Sequence, residues 1–250
     1  EPHLAKTNAA MAAKVEELTS GKTSRHDAIR AVFEFVSRKV RYLGLTLEDK
    51  YPGDAPHDVN VTFENRYGVC RDKAGLLVAM LRLAGFEAYP VLIGTEEKMD
   101  DEVPKDLFNH VIVAVDEGTR TYALMDPTVE NAKDLFPSHL QNRSYLVARP
   151  DGENLMTTPV QSPDENAVRI ASKAWLDEDG FVTLENDIRF FGVVDALFRE
   201  MLAKVKPENR IGRFNGFIRK FASRCPSRAR SSSSARSNPS ACPTARRRFV

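Results

Sequence analysis

The chain is poor in cysteine and tryptophan, with three and one among its 250 residues. Two of the cysteines, Cys225 and Cys242, lie beyond Ser223. The body therefore carries a single thiol, Cys70, and no internal disulfide, which excludes a disulfide-stapled scaffold. No apolar run approaches the roughly 18 residues that a membrane-spanning helix needs, so no span is expected. The opening EPHLAKTN has neither an initiator Met nor the charged and apolar blocks of a signal peptide, and reads as the start of a mature product or a processed piece. No loop of alternating carboxylates marks a Ca²⁺ site, and Asp100, Asp101 and Glu102 read as a solvated loop. Acidic residues are missing altogether after Ser223, where seven of the 36 basic residues lie; the remaining 29 stand against 35 acidic ones, so residues 1–223 carry −6. A mildly acidic body argues against a nucleic-acid-binding surface on the folded part.

What is present is an ordinary globular composition, 42% hydrophobic and 28% charged, sufficient for a real core. Residues 4–19 are rich in Ala, Lys and Glu, and Gly21 ends the pattern. Ser24 then precedes a segment with Ile29, Val32, Phe33 and Val36 at helical spacing, so two helices are expected. VRYLGL reads as a short extended piece, and Pro52, Gly53 and Pro56 make the following stretch a loop. In RYGVCRDKAGLLVAMLRLAGFEAYP, Gly68 breaks the chain before Cys70. Leu76, Leu77, Met80, Leu81 and Leu83 then form an apolar face so continuous that the helix should be buried, with Gly85 at its C-terminal cap. AYPVLIG, FNHVIVAV and TYALMDP read as three strands, the last two a hairpin. Residues 138–155 mix short strand and turn signals. Two alternating runs around Asp179-Gly180 form a second hairpin, and VVDALFREMLAKV is helical. From about Ser223 the Arg/Ser-rich text has almost no large apolar residues and should be disordered. Such a composition is compatible with RNA or anionic membrane, but an unfolded tail or an altered chain end is the simpler reading.

An isolated cysteine is often a small buried hydrophobe. Cys70 is placed differently, between a Gly-containing turn and a helix N-terminus, where unpaired N–H groups and the helix dipole favour a thiolate. Those same amides are able to receive an oxyanion. Arg71 and Lys73 add positive charge beside it and Asp72 suits the dipole and pairs with one of them; taken singly, each of the three reads as a solvated or ion-paired surface residue.

A thiolate nucleophile needs a base, and the base an orienting acceptor. His3, His26, His57 and His139 read as exposed or capping residues. His110 opens an apolar strand, where a polar ring requires a partner. If Asp116 pairs with Arg120 around the loop Glu117-Gly118-Thr119, His110 faces Asp126 directly. Any odd-numbered loop keeps the two side chains on one face, and an even-numbered one separates them. Cys70 is then the nucleophile, His110 the base and Asp126 the residue that fixes its tautomer, with the Cys70 backbone N–H in the oxyanion hole. The second oxyanion donor is unassigned; Tyr42 is a candidate, although packing is its simpler role.

The order Cys, His, Asp with separations of 40 and 16, carried by GVCRDKAGLLVAMLRLAGFEAYPVLIG, FNHVIVAV and YALMDPT, resembles the transglutaminase-like superfamily of papain-fold cysteine enzymes. The likeness is greatest to bacterial members of unassigned substrate and spans roughly residues 5–150. Val69 and Arg71 depart from those members, which often carry Asp and Lys there. The resemblance implies an α+β fold, a papain/transglutaminase-like core with the Cys-bearing helix packed on an antiparallel sheet, and Cys70, His110 and Asp126 as catalytic triad. Residues 1–160 would form the catalytic domain. Residues 165–221 would form a partial C-terminal β-rich unit with a helix, and residues 222–250 the disordered tail. It also implies an exported or periplasmic bacterial protein.

The expected activity is hydrolysis of an amide or peptide bond in a peptide or protein, or acyl transfer, through a Cys acyl-enzyme. Hydrolysis is preferred because water is always available, whereas nothing marks an amine site. No cofactor or metal is called for, and the oligomeric state is not legible. Two other readings stand beside it: a catalytically silent interaction domain that binds a peptide in its cleft, and a zinc site built from Cys70, His110 and Asp126, although these lack the close pairs of structural zinc sites.

Overall fold

The computed structural model describes residues 4, 6–43, 56–96, 98–99, 107–131, 133–178 and 182–222, without the side chains of 182–184 and 217–222. The chain divides into two compact units, with the boundary between Glu165 and Asn166.

The first unit is helical at its start. Helix α1 (Ala9–Thr19) is capped by the Asn8 side chain and α2 (Arg25–Lys39) by that of Ser24. A two-residue strand, β1 (Arg41–Tyr42), follows α2 directly. Helix α3 (Val59–Asn65) falls in a stretch to which the sequence signals assigned no element. It ends at Arg66, whose left-handed backbone (φ 60°) turns the chain and whose guanidinium stacks over Phe35 and Phe63, 4.8 and 4.3 Å from the ring centroids. Strand β2 (Tyr67–Gly68) pairs in parallel with β1, Arg41 opposite Tyr67 and Tyr42 opposite Gly68.

Helix α4 (Cys70–Leu83) is the centre of the unit, and every residue from Asp72 to Leu81 is buried. The reading of Arg71, Asp72 and Lys73 as surface residues is corrected for the last two: one surrounding layer of α1, α2, α3 and the sheet encloses the first turn along with the leucines. The helix ends in a Schellman motif, in which Phe86 N–H donates to Leu81 O, Gly85 N–H donates to Arg82 O, and Gly85 has φ +84°.

Five strands follow as one antiparallel sheet: β3 (Ala88–Ile93), β4 (His110–Asp116), β5 (Tyr122–Met125), β6 (Ser144–Val147) and β7 (Met156–Thr157), in the order β5-β4-β3-β6-β7. The sequence announced the first three and only hinted at the last two. Val113, Val115 and Met125 face the helices, while Ile112, Ala114, Leu124, Leu140 and Tyr145 form a second cluster. Cover on both faces explains why β4 reads as unbroken apolar text instead of alternating.

The hairpin register differs from the expected one. Val113 lies opposite Met125 and Asp116 opposite Tyr122, so five residues, 117–121, connect the strands, and not three. The cause is local: Asp116 Oδ1 accepts the Gly118 N–H at 2.8 Å, and Gly118, Thr119 and Arg120 all adopt positive φ. The loop is still odd-numbered, so the two-residue shift leaves His110 and Asp126 on one face.

The second unit begins with a long hairpin, β8 (Val168–Leu176) and β9 (Val182–Phe190), paired throughout with Val168 opposite Phe190 and Leu176 opposite Val182. Helix α5 (Val193–Ala203) follows, with Phe198 stacked on Phe190 at 4.2 Å. Helix α6 (Pro207–Ala222) was not foreseen, and takes Pro207 at its first position, where the missing N–H costs nothing. The expected disordered tail lies outside the described residues, except that Ala222 still belongs to α6.

Candidate active site

Cys70 occupies the first position of α4, where its N–H has no acceptor within the helix. The N-cap residue, Val69, has no polar side chain to offer, and half of a capping box does the work instead: Asp72 Oδ2 accepts the Val69 N–H at 3.0 Å. The other oxygen of Asp72 accepts the His57 N–H at 2.9 Å and pairs with His57 Nδ1 at 3.0 Å. Asp72, 1% exposed, thus ties the segment before α3 to the turn that presents the thiol. Gly68 makes room for it, since a Cβ there would lie 2.7 Å from Asp72 Cβ.

His110 begins β4, and Asp126 follows the last residue of β5. By the observed register Asp126 continues in line with Ile112, so His110 reaches it diagonally along the shared face. The contact is direct, with His110 Nε2 3.0 Å from Asp126 Oδ2. Asp126 Oδ1 meanwhile accepts the Thr128 N–H at 2.9 Å and the Thr128 hydroxyl at 2.7 Å, an Asx turn built from Asp-Pro-Thr. Both carboxylate oxygens are therefore occupied, and Asp126 is 1% exposed.

With Nε2 turned to Asp126, the other ring nitrogen of His110 is left for Cys70, to which the ring is hydrogen-bonded. Val111 begins no pair with β5, whose ladder starts at Val113, and its backbone N–H, like that of Arg71, donates to the Cys70 sulfur. Burial opposes ionisation of the thiol, but the hydrogen bond and charge of His110 and these two N–H groups outweigh it, and the Cys70 pKa falls below that of an ordinary thiol. Burial likewise opposes the charged ring, yet hydrogen bonds and charge from Asp126 and Cys70 push His110 up to about 9. Burial disfavours the charged carboxylate too, and here the His110 and Thr128 donors prevail, holding Asp126 below the usual range. The three groups therefore favour thiolate, imidazolium and carboxylate together.

Lys73, which the sequence reading placed at the surface, is fully buried; its Nζ donates to Ser37 O at 3.1 Å and Val40 O at 2.5 Å, capping the C-terminal end of α2. Burial lowers its pKa to about 8 against the raising influence of Glu130 and Asp126. Glu130 in turn accepts the Tyr42 N–H at 2.8 Å. His139, on the single turn Ser138–Leu140, lies near enough to Asp126 and His110 to respond to their charges. His26 lies against Arg30 on the exposed face of α2, and His3 is outside the described residues.

Among the described residues no group of three or more His, Cys, Asp or Glu is placed to hold a metal ion, and no helix is long and apolar enough to cross a membrane. The zinc reading of Cys70, His110 and Asp126 finds no support in this arrangement, because the imidazole stands between the other two.

Compared with known proteins, the chain finds no match among curated sequences. Solved structures with a similar arrangement include a candidate cysteine protease from Cytophaga hutchinsonii (18% identity, 54% of this chain and 42% of that one, TM-score 0.38). They also include a candidate protease from Parabacteroides distasonis (13%, 68% and 34%, TM-score 0.45) and the periplasmic domain of TgpA from Pseudomonas aeruginosa (20%, 51% and 46%, TM-score 0.36). The chain thus spans less than half the length of each. The family model described as "Transglutaminase-like superfamily" matches residues 12–120, from α1 through the β4–β5 loop, and so includes Cys70 and His110 but stops short of Asp126. Helix α4 lying on an antiparallel sheet, with its thiol at the sheet's end, accords with that match, which assigns a transglutaminase-like superfamily domain to residues 12–120.

Proposed function

We propose that the protein is a thiol-dependent hydrolase of amide or peptide bonds, or an acyl transferase, that works through a Cys70 acyl-enzyme. One observation supports this most: the His110 ring bridges the Cys70 sulfur and a doubly anchored Asp126 carboxylate. The Cys70 thiolate attacks the amide carbon, forming a C–S bond as the carbonyl electrons move onto oxygen. The oxyanion is received by the Cys70 N–H at the start of α4, which has no acceptor within the helix. As the carbonyl re-forms, the C–N bond breaks, and the departing amine takes the proton from His110 Nδ1. Water then attacks the thioester with His110 as base, releasing the acid and restoring the thiolate. Asp126 remains ionised and keeps the ring turned so that Nδ1 faces sulfur.

Hydrolysis is the preferred outcome, with residues 1–160 as the catalytic domain and residues 165–221 as a separate partial β-rich unit. The exported location rests on family resemblance alone, and the substrate is a peptide or protein with an accessible amide. The test is the rate of Cys70 alkylation by iodoacetamide against pH, in the full chain with Cys225→Ser and Cys242→Ser. A thiolate titrating well below the free-cysteine value of about 8.5, and moved upward by His110→Ala, is expected. An inert thiol, or one indifferent to His110, would overturn the catalytic reading in favour of a peptide-binding domain.

A further inference from the structure

The acyl-enzyme reading leaves one position unfilled, the second donor to the oxyanion. Strand β1 is only two residues long, yet the structure holds it from three sides. Its ladder to β2 fixes Tyr42 opposite Gly68, extended by Arg41 N–H to Arg66 O at 2.8 Å and Leu43 N–H to Gly68 O at 3.0 Å. The Glu130 carboxylate takes the Tyr42 N–H. Lys73, three residues after the nucleophile on α4, grips the carbonyl of Val40 two residues before Tyr42. A backbone segment fixed by the helix that carries the thiol, the strand that leads into it and the loop that follows Asp126 cannot move independently of the site.

Registered residues of a parallel pair project to the same face of the ladder. On Gly68 that face is the one a Cβ would point to, and it is occupied by Asp72 in the first turn of α4. Tyr42 therefore projects on the side where Cys70 begins its helix. Tyr42 is 38% exposed, so the residue borders solvent and a substrate is able to reach it. Burial of the phenol, then the nearby charges of Cys70 and Asp126, raise its pKa, which keeps the hydroxyl protonated and able to donate throughout the neutral range.

From this placement, and resting on the acyl-enzyme reading, we infer that the Tyr42 hydroxyl is the second oxyanion donor, facing the Cys70 N–H across the carbonyl oxygen of the substrate. Lys73 and Glu130 are positioning residues for it. The same carbonyl is thereby held at the thiolate before attack, and the hydrogen bonds strengthen as negative charge develops on oxygen.

Acylation and alkylation separate the two claims. Alkylation by iodoacetamide needs the thiolate but forms no oxyanion. Acylation by p-nitrophenyl acetate forms a C–S bond and a tetrahedral oxyanion, then expels p-nitrophenolate with its electron pair. In the full chain with both tail cysteines changed to Ser, Tyr42→Phe is expected to slow acylation by about 10²-fold, the scale for one oxyanion donor, while alkylation stays within twofold and the melting temperature is unchanged. Acylation at the wild-type rate in Tyr42→Phe would overturn the inference and leave the nucleophile intact. A parallel fall in alkylation would overturn it as well, by showing that the hydroxyl acts on the thiol. An inert wild-type thiol would overturn the parent reading and this inference with it.

Discussion

Asp126→Asn is the substitution with the largest expected effect for the smallest change in shape. Oδ1 already serves two donors of Thr128, so the asparagine carbonyl oxygen is kept on that side and its NH₂ turns toward His110. The imidazole then has to accept at Nε2, which places its proton on Nδ1, the nitrogen that should take a proton from Cys70. The same change removes the charge that supports the imidazolium. His110 stands at about 9 against an ordinary 6.5, a rise that Asp126 shares with Cys70, and each unit is worth about 1.4 kcal/mol, so up to about 3 kcal/mol of preference for the charged ring is at stake. With burial then unopposed by Asp126, the His110 pKa falls and the thiol pKa rises. Turnover of an amide substrate, or acylation by p-nitrophenyl acetate, should fall by about 10³–10⁴-fold, the scale of a wrong tautomer in a nucleophile–His–Asp triad. The folded-state His110 is raised, so its stabilising contribution is fully present below 6.5 and lost as pH rises through about 9. Urea denaturation should therefore show the variant destabilised most at and below pH 6.5, with the difference shrinking between pH 6.5 and 9 and gone above pH 9. Acylation within tenfold of wild type, with an unmoved thiolate titration, would refute the role of Asp126.

Gly68→Ala tests the support beneath the thiol: a Cβ 2.7 Å from Asp72 Cβ forces one of two buried backbones to shift. A stability loss of about 1–3 kcal/mol in urea, together with slower Cys70 alkylation, is expected; an unchanged alkylation rate would show that the Asp72 clasp does not shape the site. Lys73 is held at about 8 against 10.5 for a free lysine, so between these values the unfolded chain binds more protons and the lysine's burial cost fades as pH rises. Relative to Lys73→Met, the wild type should therefore gain up to about 3 kcal/mol between pH 7.5 and 10.5 in urea denaturation; a flat difference would mean that the ammonium stays charged throughout.

The elements legible in the text were those whose signal is local. The Cys-bearing helix announced itself by an apolar face and a terminal glycine; the structure departs at Leu83, which is 39% exposed in the last turn, and adds that Gly85 completes a Schellman motif. Cys70, His110 and Asp126 were chosen from helix position, strand position and loop parity, and all three meet. Asp72 and Lys73 were misread because their charge suggests solvent, and nothing local records that α2 ends above the first turn of α4. His57 was passed over for the same reason, since its partner lies 15 residues away. The pattern Val69-Cys70-Arg71-Asp72 did contain a usable signal, a carboxylate at the third helical position behind a residue unable to cap for itself.

The sequence by itself determined the period of each element, the single body thiol, its place at a helix start, and the separation of 16 residues that puts a histidine and an aspartate on one face of any hairpin with an odd-numbered loop. These are properties of neighbouring residues, fixed by sterics and side-chain alternation. Only the tertiary structure decided the hairpin register, because that depends on an Asx turn and three left-handed residues in the loop. It alone brought β1, α2 and the loop after Asp126 around the thiol, through contacts such as Lys73 to Val40 and Tyr42 to Glu130 that join residues 33 and 88 positions apart. Closing such distances costs chain entropy that burial of the whole unit offsets, and that sum is written in no short stretch of the chain.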